Sequence, residues 1–261
     1  MKQVYHLFVM VIALAIGIAV DVQSQTILSV DFSTAQGYTD GPIAGQPTGS
    51  DNPWINANPG VSTDSYLIEN EMLSVIGDGV GGKWIMINMP VQKDVFTVEF
   101  EATYVGDGTM SNVGVSISDT VNFTLDGNTT PTYNEQGAMI RFAGSGILDV
   151  RDGDGNGGGS FTKLVDIAYN DGVKLYIREV IDALANLVTV YVQKEGEVDE
   201  TLVAEDYGFR RTTSAETDGL NCITIFDNNS DASIPGVGII FDNFLLYGGE
   251  GPTSVSEWSV F

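Results

Sequence analysis

The run Asp152-Gly153-Asp154-Gly155-Asn156-Gly157 places three oxygen-bearing side chains at alternate positions, with glycines between them that let the backbone wrap. Calcium takes about six to eight oxygen ligands at roughly 2.3–2.6 Å, and D-x-D-x-N-G is how an EF-hand loop begins. The twelfth position of such a loop needs a bidentate glutamate, and here it is Lys163. The run therefore reads either as an isolated Ca2+ loop completed by Asp149 or Ser160, or as a Gly-rich hairpin loop that holds no ion. A second pair of carboxylates, Glu99 and Glu101, stands two residues apart in a strand-like stretch. Both then point to one face, with their Cα atoms about 6.5–7 Å apart. Glycosidic hydrolysis with retention uses two carboxyl groups about 5–5.5 Å apart, so the pair is a candidate for that chemistry or simply part of a wet sheet face.

The cations form a third set. Arg141, Arg151 and Arg178 are three of the five arginines, and alternation sets them opposite the core residues, with Tyr176, Tyr191 and Gln193. A face of Arg, Tyr, Gln and Glu suits hydroxyl-rich or acidic ligands through bidentate hydrogen bonds and ring stacking. The same residues read equally as cross-strand ion pairs on an outer sheet. Trp84 sits in an apolar run and is expected in the core, whereas Trp54, after Pro53 in a loop, is expected at the surface as a stacking platform.

The elements that must position these groups are strands. Period-two segments recur at 26–32, 66–69, 72–76, 83–89, 95–104, 112–118, 121–125, 138–143, 146–151, 161–167, 173–182, 186–194, 200–204, 220–226 and 237–247. Turn residues such as Gly144-Ser145-Gly146 and Asp171-Gly172 separate them, as in an all-β sandwich or barrel. In 95–104, Phe96, Val98, Phe100 and Ala102 share one face, and Thr97, Glu99, Glu101 and Thr103 the other. One dry and one wet face per strand predicts a two-sheet antiparallel β-sandwich. Residues 33–65, rich in Gly, Pro, Asn and Asp, read as a long connection.

Composition narrows the chemistry. The 261 residues carry 11 Lys+Arg against 35 Asp+Glu, a net charge of −24, which argues against a nucleic-acid partner. Cys222 is the only cysteine, so no intramolecular disulfide forms, and its apolar surroundings predict a buried, inert thiol. The N-terminus reads as a secretory signal peptide, residues 1–24: Lys2, then 14 apolar residues from Leu7 to Val20, then Val22-Gln23-Ser24 before cleavage. That run is short for a membrane span. Its removal takes the only histidine, His6, and leaves 10 basic and 34 acidic residues. Histidine-based general-base, triad and zinc chemistry are then excluded. The domain is expected at 25–248, with a linker and tail at 249–261. The mature product is expected to be exported, secreted or at the cell surface (periplasmic if retained), with no membrane insertion after cleavage. N-x-S/T occurs at Asn122, Asn128 and Asn228.

Three motifs carry a family resemblance. VKLYIREVIDALANLVTVYVQKEGE (173–197) resembles the hairpin of laminin-G-like and concanavalin A-like jelly rolls. GVGIIFDNFLLYG (236–248) is similar to their closing strand, and SVDFSTAQGYTDGPIAGQ (29–46) to the start found in exported bacterial proteins of this type. The resemblance spans most of 26–248 and implies a concanavalin A-like jelly roll whose first and last strands pair, setting 28–32 beside 239–246. Asp31 and Asp242 would then meet, where many such carbohydrate modules hold a structural Ca2+; a hydrogen bond from Asp242 to its own loop is the other reading. Glucanases of the laminarinase type carry E-x-D-x-x-E on such a strand, and here Tyr104 stands at the last, acid/base position. The resemblance thus implies a secreted, non-catalytic carbohydrate-binding or adhesion module, calcium-assisted, with a polysaccharide or glycan surface as partner. A glycoside hydrolase or polysaccharide lyase using Glu99 and Glu101 is the enzymatic alternative, and a structural cell-envelope protein the third.

Overall fold

The computed structural model describes residues 25–58, 61–77, 81–106, 113–120, 133–170, 172–213, 219–227 and 237–249. The expected signal peptide, the strand at 121–125, the sites at Asn122, Asn128 and Asn228, and the tail beyond 249 lie outside them.

The period-two pattern folds as strands: β1 (Thr26–Val30), β2 (Gly41–Pro42), β3 (Ile55–Asn56), β4 (Tyr66–Glu69), β5 (Met72–Ile76), β6 (Lys83–Gln92), β7 (Val95–Val105) and β8 (Val113–Ser118). They continue with β9 (Ala138–Ala143), β10 (Ile147–Asp152), β11 (Ser160–Ala168), β12 (Lys174–Asp182), β13 (Leu187–Lys194), β14 (Thr201–Gly208), β15 (Leu220–Asp227) and β16 (Gly238–Gly248). The larger sheet runs β14-β13-β12-β7-β16-β5-β4-β2, and the smaller runs β11-β10-β9-β8-β15-β6-β3. Every pairing is antiparallel. The expected two-sheet antiparallel sandwich is therefore present. No helix among the described residues is long and apolar enough to cross a membrane.

The core lies between the sheets because each strand buries one face. Phe96, Val98, Phe100 and Ala102 of β7 meet Ile85 and Ile87 of β6, Val115 and Ile117 of β8, and Ile223 and Ile225 of β15 in one apolar cluster. A chain of rings runs through it, with Phe100 stacked on Phe244 at 5.1 Å and 14°. One core-facing position breaks the pattern. Glu179 of β12 stands opposite Val98 on one side and Val190 on the other, fully buried, and neither carboxyl oxygen has a hydrogen-bond partner among the described residues.

The first and last described strands pair as the resemblance implies. Along one edge, β16 pairs first with β5, through Gly238–Phe241, and then with β1, through Phe244–Tyr247. Between those halves the register slips, with Asn243 at φ 51°. This bulge re-phases the strand: Ile239 and Phe241 face the core before it, Phe244 and Leu246 after it. Tyr247 is thereby turned to the outer face, opposite Thr97.

The stretch 33–65 is less of a loop than expected. It contributes β2, β3 and a 3-10 turn at Thr34–Gln36, and it plugs one end of the sandwich with Tyr38, Ile43 and Trp54. Trp54 corrects an expectation. It is wholly buried rather than a surface platform, its ring 6.1 Å from Phe32 and 6.4 Å from Phe244. Burial is possible because the indole N–H donates to the Tyr38 hydroxyl at 3.1 Å, so no donor is stranded. Trp84 is buried as expected, in a second cluster with Ala57, Met139 and Phe226. Cys222 is buried, and burial pushes its thiol up to about 12.

Candidate functional site

On the outer face of the larger sheet, the side chains opposite the core fall into rows. The register aligns Gln193, Tyr176, Glu101 and Asp242 in one row, and Tyr191, Arg178, Glu99 and Leu245 in the next. Thr189, Val180, Thr97 and Tyr247 form the third. Adjacent residues in a row are cross-strand neighbours, close enough to bond.

The middle row is a closed polar network. Arg178 donates through Nε to Glu200 Oε1 at 2.9 Å, and through its second arm to Glu200 Oε2. Its guanidinium lies 4.1 Å from the centroid of the Tyr191 ring. On the other side, the Tyr247 hydroxyl donates to Glu99 Oε1. Glu99 is only 3% exposed although it is on the wet face. Burial pushes its carboxyl up to about 7, against the pull of the Tyr247 hydroxyl and the Arg178 charge. Glu101 of the first row is tied to Lys174, which stands opposite Thr103.

Over this network lies a groove of about 570 Å³. Val95, Val180 and Leu187 give it an apolar strip; Arg178, Thr189 and Tyr191 add polar tips; Asp182, Asp199, Glu200 and Asp206 supply carboxylates. Strand β14 makes the far wall. Its pairing with β13 slips register twice between Val188 and Tyr191, and Asp206 adopts φ 53°. The bulges put Val203 and Ala204 both in the core, and Asp206 lines the groove.

The residues anticipated from the sequence divide among several places. Arg178 and Tyr191 line the groove. Glu99 lies beneath it, and Glu101, Tyr176 and Gln193 occupy the adjoining row. Arg141 and Arg151 are elsewhere, on the outer face of the smaller sheet. There their guanidinium carbons sit 3.7 and 5.1 Å from the centroid of the Phe161 ring, with Arg141 bonded to Asp149 at 2.7 Å and Arg151 to the Gly158 carbonyl at 2.9 Å. One anticipated surface is thus two. The glucanase-like spacing also fails in three dimensions: Tyr104 pairs with Ile239 on the core face, opposite to Glu99 and Glu101.

The Asp152–Asn156 loop is built against residues 208–211. Gly153, Gly155 and Gly157 donate their amides to the carbonyls of Gly208, Phe209 and Arg210 at 2.7–3.0 Å. Asp152 Oδ1 accepts from the Gly208 amide at 3.2 Å, and Asp154 Oδ1 accepts from the amides of Asn156 and Gly158, both at 2.9 Å. These bonds hold the Asp154 carboxyl below its ordinary range. The carboxylates therefore close the loop. A Cβ at Gly153 would lie 2.2 Å from the Phe209 carbonyl oxygen. Gly153→Ala is expected to cost roughly 1–3 kcal/mol by overpacking, read as a lower Tm, while EDTA or added Ca2+ leaves the native Tm unchanged. A native Tm that rises with Ca2+ contradicts this structural role.

Asp31 and Asp242 do come together through the β1–β16 pairing. Asp31 Oδ1 accepts from the Ser33 amide at 2.9 Å and Asp242 Oδ1 from the Asn243 amide at 2.8 Å. Burial, with Glu101 and Asp31 nearby, pushes Asp242 up to about 6. Among the described residues no three His, Cys, Asp or Glu side chains gather as a metal-ligand set.

No protein-family model matches the chain, and no curated protein matches it closely enough to count as a relative. Its fold is similar to that of the exoplasmic/lumenal domain of VIP36 in a Ca2+/Man3GlcNAc-bound form, at 11% identity and TM-score 0.50, covering 90% of this chain and 95% of that one. Winged bean acidic lectin complexed with methyl-α-D-galactose is similar at 8% identity and TM-score 0.50, covering 86% and 99%. A glycoside hydrolase family 131 catalytic domain from Coprinopsis cinerea is similar at 9% identity and TM-score 0.43, covering 78% and 72%. The chain has the concanavalin A-like jelly-roll fold, and at these identities the likeness is one of fold.

Proposed function

We propose that this concanavalin A-like jelly roll is an exported, non-catalytic glycan-binding or adhesion module, and that the groove over β12, β13 and β14 is its binding site. The observation that carries the reading is the groove's composition. A sugar ring has an apolar C–H face and a rim of hydroxyls; Val95, Val180 and Leu187 suit the first, and the Thr189 hydroxyl with the Asp199 and Asp206 carboxylates suits the second. The sugars bound in the VIP36 and winged bean lectin structures support a glycan as the partner. Export is supported by the apolar run behind Lys2 and by the acidic composition. The reading does not require calcium: one oxygen of each of Asp152 and Asp154 is spent on backbone amides, and the groove lies apart from that loop.

One observation favours a hydrolase instead: a carboxyl near 7 is what a proton donor at neutral pH needs. Glu99, however, is covered by Tyr247 and does not line the groove. A glycan array with the native protein and Thr189→Trp separates these readings. The native protein is expected to bind with or without EDTA, and the bulky variant to lose at least about tenfold in affinity. Reducing-sugar release that disappears in Glu99→Gln would sink the non-catalytic reading.

A further inference from the structure

The groove is acidic in a particular way. Of its four carboxylates, only Glu200 has a cation among the described residues, Arg178. Asp182 accepts from the Ala185 amide at 2.8 Å, and Asp206 is linked to Thr189, its amide donating to Oγ1 at 3.2 Å. Asp199 lies in the turn that leads into β14. None of these three aspartates is ion-paired to a described residue. Nor do they converge: no three acidic side chains among the described residues are close enough to share one metal ion. The complement is therefore not a compact divalent cation but a ligand with positive charges spaced along it.

An acidic glycan is a poor fit for a second reason. It would need a guanidinium fork, and both arms of Arg178 are already spent on Glu200. A charged sugar carboxylate entering the groove would meet three unneutralised aspartates instead. The acidic ligands that the sequence admitted are thus disfavoured by the site the sequence builds.

We propose that the groove selects a glycan bearing free amino groups, such as a de-N-acetylated amino-sugar chain, a refinement that rests on the groove being a glycan site. Each ammonium offers three donors to carboxylates, and such charge-assisted bonds are about twice as strong as neutral ones. The apolar strip of Val95, Val180 and Leu187 receives the ring faces between the charges. The net charge of −24 steers the polycation toward the protein, and the groove confers the selectivity.

The experiment is calorimetric titration with chitosan oligomers, with fully N-acetylated oligomers of equal length, with oligogalacturonate, and with a lysine-rich peptide of matched charge. Chitosan oligomers are expected to bind about tenfold or more tightly than their acetylated counterparts, with oligogalacturonate weakest. Asp199→Asn and Asp206→Asn should each lower chitosan affinity by about three- to tenfold and lower that of the acetylated oligomer by clearly less, because only the ammonium contacts lose a full charge. Asp64→Asn, an exposed charge before β4, should change neither. Acetylated oligomers that bind as well as chitosan overturn the amino-group selectivity and leave the glycan site standing. Binding of no oligomer overturns both. Equal loss from Asp64→Asn, or a peptide that binds as tightly as chitosan, overturns the proposal in favour of unspecific charge or a basic protein partner.

Discussion

Glu179→Leu is expected to stabilise the protein, and by more at pH 8 than at pH 5. The wild-type carboxyl is fully buried between Val98 and Val190 with neither oxygen bonded to a described residue. Burying a neutral polar group without a partner costs about 1–3 kcal/mol, which leucine removes at any pH. Ionisation adds to the cost, because burial pushes the folded-state value up to about 8. The unfolded value is about 4.3. Between those values the unfolded chain binds fewer protons than the folded one, so stability falls as pH rises, by a few kcal/mol in total. The leucine variant loses that part of the slope. Glu99 and Asp242, also raised, retain theirs with the same sign. Glu179→Gln separates the two effects: it keeps an unpaired polar group but does not titrate, so it should gain at pH 8 and little at pH 5. Urea unfolding at both pH values reads this out. A leucine variant less stable than wild type at both would mean that the carboxyl is favourably bonded in solution.

Arg178→Met is expected to have the opposite sign and a comparable size. Arg178 and Glu200 are each about nine-tenths covered, with side chains 7% and 10% exposed. Taking away the cation leaves Glu200 without its partner and Glu99 without the charge that draws its value down. Breaking a buried pair from one side costs roughly 3–5 kcal/mol, because the remaining charge is uncompensated. The part of the loss that comes from Glu99 should shrink at pH 4–5, where its raised carboxyl is protonated. The double variant Arg178→Met/Glu200→Gln should recover much of it, giving a coupling energy of about 1–3 kcal/mol in the mutant cycle. Additive single effects at neutral pH would show that the bidentate contact is solvent-screened.

Much of this fold is legible as alternation. The strands anticipated at 66–69, 72–76 and 138–143 coincide with β4, β5 and β9, and β7 and β12 differ from expectation by one residue at one end. The same rule, carried on from Leu175 and Ile177, puts Glu179 in the core, so even that anomaly is readable. The groove is less so. Arg178, Tyr191 and Thr189 follow from alternation, and Glu200 stands two residues before Leu202, which pairs with Tyr191, but Asp206 meets Thr189 across a pairing in which β14 slips register twice against β13. The cover on Glu99 depends on a bulge at Asn243 that reverses the phase of Tyr247. Trp54 was hidden differently: Pro, Gly and Asn neighbours mark a connection, but nothing local shows that Tyr38 supplies its hydrogen bond. Likewise the Asp152–Asn156 spacing resembles a calcium loop until the 208–211 backbone, distant in sequence, takes up its amides. Local periodicity carries the sheets, whereas bulges and long-range backbone pairing carry the site.

Titration of isotope-labelled protein with the tightest oligosaccharide from the array, followed by amide chemical shifts, locates the ligand directly. Shifts concentrated at Arg178, Val180, Thr189, Tyr191, Asp199 and Asp206 are the predicted result. Shifts that cluster instead at Arg141, Arg151 and Phe161 on the smaller sheet, or no saturable shifts at all, would contradict a glycan site in the groove.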